Sequence, residues 1–178
     1  MLDPVLVTAS STVLAALLAG AAWHKVRDWQ GFTRIVHAYE LLPGFLAPAA
    51  TAILAISELA LASALVLGAW RPQAAIGVIL LMALYASAIG LNLWRGRRGI
   101  DCGCAGPGAR QPLRPVLLLR NLVIALLAVV AASSASERVL DALDIFVVIA
   151  ASAVALLIHL AVDGLLANQP RLADFSGR

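Results

Sequence analysis

Long apolar blocks separated by short polar breaks set the architecture of this chain. Five blocks are near the length that a bilayer-crossing helix needs, about 20 residues at 1.5 Å rise each. They cover residues 4–23, 46–69, 74–94, 116–134 and 145–167. Between the first two, the segment 25–41 places Trp29, Phe32, Ile35, Val36 and Tyr39 at helical spacing with charges among them. That spacing predicts a short helix lying in the membrane interface with its apolar side toward lipid. An amphipathic connector packed on the bundle would show the same pattern, and both readings stay open. Pro43-Gly44 ends the segment. The pattern as a whole predicts an all-α fold, a polytopic integral membrane helical bundle forming a single membrane domain over residues 1–178.

Composition sharpens this. Of 178 residues, 62% are hydrophobic and 13% charged, with a mean hydropathy of +0.93. A soluble domain of this length needs far more charged surface. Trp23, Trp29, Trp70 and Trp94 fall at or near block ends, where the amphipathic indole meets the membrane–water boundary. Only Asp3, and no basic residue, precedes the first block, so it reads as a retained span rather than a cleaved signal peptide. The formal charge of +3 fits attraction to a membrane surface, and nothing in the chain points to nucleic acid.

The basic residues divide unevenly between the two ends of the bundle. Arg71 and Arg138 lie at one end, two in all, and ten lie at the other: Lys25, Arg27, Arg34, Arg95, Arg97, Arg98, Arg110, Arg114, Arg171 and Arg178. The positive-inside rule then puts residues 95–115 in the cytoplasm. A few ionisable residues remain inside the apolar blocks, where charge is expensive. Counted from the residue 95–115 end, Arg120 and Asp163 lie about 6 Å deep, His159 about 12 Å and Glu58 about 18 Å. Arg120 and Asp163 form a candidate interhelical ion pair. No opposite charge sits at the depth of Glu58, which predicts a neutral carboxylic acid. Glu58 and His159 become candidates for proton transfer, with helix–helix adhesion as the competing reading.

The loop 95–115 holds both cysteines, Cys102 and Cys104, and five of the thirteen Lys and Arg residues. A metal site needs three or four soft ligands, and the nearest further candidates in the sequence are His24 and His37. A structural disulfide is a poor use of Cys-Gly-Cys, because so short a ring strains the bond and makes it more oxidising. The third reading is a redox-active Cys102/Cys104 pair. Glycines 99, 103, 106 and 108 would leave both sulfurs accessible. Arg97 and Arg98, with Arg95, would favour thiolate over thiol, as would the N-terminal end of the fourth span.

The run "NLWRGRRGIDCGCAG" closely resembles the signature of the methylamine utilisation protein MauE family. The segment "AAWHKVRDWQGFTRIVHAYELLP" resembles the family's pattern after its first helix, and "SELALASALVLG" its second helix with a central Glu. The resemblance covers roughly residues 12–125, with Ala105 where the family has Phe. It implies a four-helix core shared with DoxX-like membrane proteins, to which this chain adds a fifth transmembrane helix. It also implies a multi-pass protein of the bacterial inner membrane working beside a thioredoxin-like partner. The client it implies is a disulfide-containing protein, the small subunit of methylamine dehydrogenase, whose maturation or export it supports. The DoxX-like analogy adds a quinone as a cofactor. An exported client conflicts with the cytoplasmic loop that the basic residues predict. The reading from a different class is a non-catalytic membrane scaffold or transport component, whose loop binds a partner or a soft metal.

Overall fold

The computed structural model describes residues 1–103 and 111–175, all helix and connection with no β-strand among them. The order is α1 (Pro4–Arg27), α2 (Trp29–Ala38), a short 3-10 turn (Gly44–Leu46), α3 (Ala47–Leu67), α4 (Arg71–Trp94), α5 (Val116–Ala132) and α6 (Ala142–Phe175). Local sequence explains where the helices begin and end. Asp3 accepts the amide of Val5 at 2.8 Å and Pro4 follows it, a pairing suited to a helix start because proline forfeits only an orphan donor. Pro48 and Pro72 take the corresponding places in α3 and α4. Gly68 closes α3 at φ +77°, a left-handed backbone that a side chain would strain.

Asp28 separates the first two helices. It ends α1 and accepts the amide of Gly31 at 3.0 Å, capping α2. The interfacial segment expected at 25–41 therefore splits: its first residues, Lys25 included, complete α1, and only Trp29–Ala38 forms a separate helix. That helix packs on α3, as the connector reading expects.

Among the described residues, four helices are long and apolar enough to cross a membrane: α1, the 3-10 turn with α3, α4, and α6 through Asn168. The apolar α5 is shorter, at 17 residues. A core of small and branched side chains unites α1, α3, α4 and α5, with Leu14, Leu18, Ala62, Leu65, Val78 and Ala128 among its buried members. The sixth helix packs against α1 and leaves Phe146, Ile149, Leu157 and Leu165 exposed. In water such apolar surface would be costly; in a bilayer it faces lipid tails. Trp23, Trp70 and Trp94 are exposed at helix ends, as an interfacial belt requires. At the N-terminal end of the bundle, Leu2 exchanges backbone hydrogen bonds with Ser134 and Ser136. Arg138 there bridges Asp3 at 3.2 Å and Asp144.

Candidate functional site

The cysteine loop is anchored by a small two-sided clasp. Cys102 donates its amide to the Gln111 carbonyl at 2.8 Å, and Leu113 donates to Ile100 at 3.1 Å. One carboxylate oxygen of Asp101 accepts the amides of Gly103 (3.1 Å) and Gln111 (3.2 Å), tying the two sides together. The clasp turns Cys102 inward against Ile89, Leu113 and Leu117. The accessible sulfur expected at this position is thus corrected: Cys102 is only 6% exposed. Apolar side chains pack against it, and the paired backbone of the clasp holds Cys102 in that position. Cys104 and Arg110 lie outside the described residues.

Gly103, between the cysteines, has φ +75°, and a Cβ there would come within 3.0 Å of the Phe32 ring. Both the backbone and the close approach to α2 demand glycine. The amphipathic α2 therefore presents Phe32 and Ile35 to the cysteine loop, a use that its spacing alone did not reveal.

Among the described residues, a guanidinium beside the Cys102 sulfur is that of Arg120, on α5 rather than in the loop. Arg120 Nη2 lies 3.8 Å from Cys102 Sγ, and Arg120 Nη1 donates to Asp163 Oδ1 at 2.9 Å. The interhelical pair expected from the depth count is therefore present. His159 Nε2, one turn before Asp163 on α6, stands 3.3 Å from Asp163 Oδ2. The result is a line of side chains, His159–Asp163–Arg120–Cys102, running from α6 across α5 to the loop. Arg97 is committed elsewhere. It donates to the carbonyls of Ala38 (3.1 Å) and Tyr39 (3.4 Å) and pairs with Glu40 at 2.7 Å, which satisfies the C-terminal end of α2. Arg98 is exposed and lines a shallow depression with Pro112–Val116 and Leu166.

Glu58 requires a second correction. It is not without an opposite charge: Lys25 Nζ lies 2.7 Å from Glu58 Oε1, with the two side chains 6% and 1% exposed. Tyr85 Oη donates to the same oxygen at 2.7 Å. The Lys25 ammonium also sits 4.8 Å from the Phe32 ring centroid and 5.7 Å from that of Tyr85, close enough for cation–π attraction. Depth counting missed this because a helical side chain leans toward its own N-terminus. Lys25 reaches back along α1, its Nζ 3.5 Å from the Ala21 carbonyl, and so meets a residue deeper than its own Cα. A signal was present in the sequence: Leu14, Leu18, Ala22 and Lys25 continue one buried stripe of α1 at spacings of four, four and three.

Both clusters open onto one cavity of about 450 Å³ between α1, α5 and α6, lined by Lys25, Glu58, Tyr85, Arg120, His159 and Asp163. Leucines of α1 and α6 and Ile124 of α5 supply its apolar wall. His24 also borders the cavity, whereas His37 lies against Gly44. Among the described residues, no three His, Cys, Asp or Glu side chains converge as a metal site would.

A multi-helix membrane bundle with a clasped cysteine loop and an internal cavity that carries paired charges is the class that this geometry defines. The family model for methylamine utilisation protein MauE matches residues 3–134. Three similar proteins are each named methylamine utilization protein MauE. The one from Paracoccus denitrificans is 34% identical over 75% of this chain and 72% of its own length. The one from Methylorubrum extorquens is 39% identical over 71% of this chain and 68% of its own length. The one from Methylophilus methylotrophus is 34% identical over 98% of this chain and 95% of its own length, a match that takes in α6. This chain belongs to the methylamine utilisation protein MauE family, a multi-pass membrane protein whose family is tied to methylamine utilisation. No solved structure matches it significantly.

Proposed function

We propose that this chain passes disulfides to a thioredoxin-like partner at the bacterial inner membrane, in support of a disulfide-containing client used in methylamine utilisation. One observation carries the reading: the guanidinium of Arg120 lies 3.8 Å from the buried Cys102 sulfur. A fixed cation stabilises thiolate, and a stabilised thiolate leaves faster in disulfide exchange. Cys102 is then the leaving sulfur and Cys104 the one attacked.

In the first step a partner thiolate attacks Cys104 Sγ of the Cys102–Cys104 disulfide. A mixed disulfide forms, and Cys102 departs as a thiolate facing Arg120. The partner's second thiolate then attacks its own sulfur in the mixed bond and releases Cys104. Two electrons have moved from the partner dithiol to the Cys-Gly-Cys pair, and the partner leaves with a disulfide. The burial of Cys102 supports this order of attack, since a protein partner cannot reach a sulfur packed against Leu113 and Leu117.

Trapping tests the assignment. With a reduced dithiol protein, oxidised wild-type chain should yield oxidised partner without lasting adducts. With a partner reduced to its single attacking cysteine and activated as a mixed disulfide with a small leaving thiol, reduced Cys102→Ser should displace that thiol and accumulate a mixed disulfide through Cys104, and Cys104→Ser should accumulate none. Adducts through Cys102 alone would reverse the roles, and adducts through neither would remove the redox reading. A membrane-impermeant maleimide on intact spheroplasts should label Cys104 of Cys102→Ser from outside; no labelling would overturn the exported client.

A further inference from the structure

The cavity between α1, α5 and α6 contains polar atoms that the protein leaves unsatisfied. Glu58 is 1% exposed and Asn121 is 3% exposed, and both residues line the cavity. Glu58 Oε1 receives both Lys25 and Tyr85, while Glu58 Oε2 and Asn121 Nδ2 have no hydrogen-bond partner. A buried acceptor and a buried donor left unmet each carry a desolvation penalty. Two glycines face the same space. Gly20 of α1 and Gly164 of α6 line the cavity, and a Cβ built on either would meet no atom within 4 Å. Glycine in a helix interior is less favourable than alanine by about 1 kcal/mol. Neither residue is needed for close helix contact, so at both positions the helix gives up stability while the space stays open.

Water alone is a poor occupant, since Leu14, Leu17, Leu18, Ile124 and Leu156 make much of the wall apolar. A cavity stays wet only where polar partners surround each molecule. The charges along the wall are already matched, Lys25 with Glu58 and Arg120 with Asp163, so a charged guest would meet an uncompensated field. The rim carries Leu160, 65% exposed on the outer side of α6, so the mouth opens where lipid lies.

We propose that this cavity is the binding site of a neutral, lipid-soluble molecule whose head donates a hydrogen bond to Glu58 Oε2 and accepts one from Asn121 Nδ2. A hydroxyl, alone or beside an ether or ester oxygen, meets both demands. Such a head is carried by a hydroquinone dissolved in the bilayer or by a glyceride of the bilayer itself. The inference does not rest on disulfide exchange, and either can fail while the other stands.

Native mass spectrometry of the full-length chain in detergent, titrated separately with a short-chain hydroquinone and a medium-chain monoacylglycerol, tests it. The expected result is a saturable one-to-one adduct with one probe, whose identity assigns the source. Gly164→Leu, whose Cβ would meet no atom within 4 Å, should abolish the adduct with helical content unchanged. Gly20→Ala is the milder second variant, should the larger side chain disturb assembly. Asn121→Ala should weaken binding by about tenfold, the loss of one buried hydrogen bond. No saturable adduct with either probe, or equal adducts in wild type, Gly164→Leu and Gly20→Ala, would overturn the proposal.

Discussion

Lys25–Glu58 joins α1 to α3, two helices that already pack along their length, whereas Arg120–Asp163 joins α5 to α6, although α6 packs on α1. The first pair is almost sealed, its side chains 6% and 1% exposed, and Tyr85 and two aromatic faces surround it. The second is looser, at 10% and 13%, and each partner has further business: Arg120 with the Cys102 sulfur, Asp163 with His159. Both look onto one cavity. The difference separates two uses of buried charge. Where the helices are already fixed by apolar packing, the pair neutralises itself and leaves one carboxylate oxygen turned to a guest. Where they are not, the pair sets the position of α6 and aims a cation at a thiol.

The largest effect should come from breaking the sealed pair. Lys25→Met leaves the Glu58 carboxylate buried without its cation, and removing one member of such a pair costs about 3–5 kcal/mol. Replacing both with apolar residues, Lys25→Met with Glu58→Leu, can be nearly neutral. Thermal melting of purified protein should therefore show a severe loss in the single variant and recovery of most of it in the double. A single variant as stable as wild type would mean that the carboxyl is content as a neutral acid, the state that depth counting alone predicts for it.

How much of this was legible in the sequence follows the same division. Apolar block lengths located, among the described residues, the four helices long and apolar enough to cross a membrane and the shorter α5, because a bilayer imposes about 20 residues on each crossing. Arg120 and Asp163 could be paired by depth because both lie about 6 Å from the residue 95–115 end of their apolar blocks. Lys25 could not, since its long stem reaches back along α1, and a count of Cα positions ignores side-chain length. The roles of the arginines were also hidden. Arg97 lies five residues before Cys102 and Arg120 eighteen after it, so proximity in sequence favoured Arg97. The clasp between residues 100–103 and 111–113 folds the sulfur back over α5 and reverses that order. The burial of Cys102 was invisible for the same reason: glycine-rich composition suggests accessibility, but backbone pairing decides it.

A smaller effect should follow from opening the looser pair. Asp163→Asn removes the carboxylate that holds the Arg120 guanidinium. The cost should be about 1–3 kcal/mol, the penalty for a buried donor whose partner is weakened. The double change Arg120→Gln with Asp163→Asn should restore much of the lost stability, because neither charge is then stranded. Failure of the double change to rescue would mean that α6 is held by apolar contact with α1 alone. Yield of folded protein and melting temperature both report this.

The smallest effect in energy separates the two arginines most sharply. In a Cys104→Ser background, alkylation at neutral pH reads the thiolate fraction of Cys102. A unit charge about 4 Å away is worth about 1 kcal/mol even at the dielectric of water, a factor of about five in that fraction. The doubly neutralised variant, Arg120→Gln with Asp163→Asn, keeps its fold yet lacks the cation, so its Cys102 should alkylate about fivefold more slowly. Arg97→Gln should leave the rate unchanged, because its guanidinium is engaged by Ala38, Tyr39 and Glu40. Its expected signature lies elsewhere: faster amide hydrogen exchange over Trp29–Ala38, with a stability loss below about 1 kcal/mol, as for an exposed ion pair. Equal slowing in both variants would make the field at the sulfur a property of the whole basic loop. Slowing confined to the Arg120 variant assigns it to one residue reaching up from the membrane, and Arg97 is left to hold the end of α2.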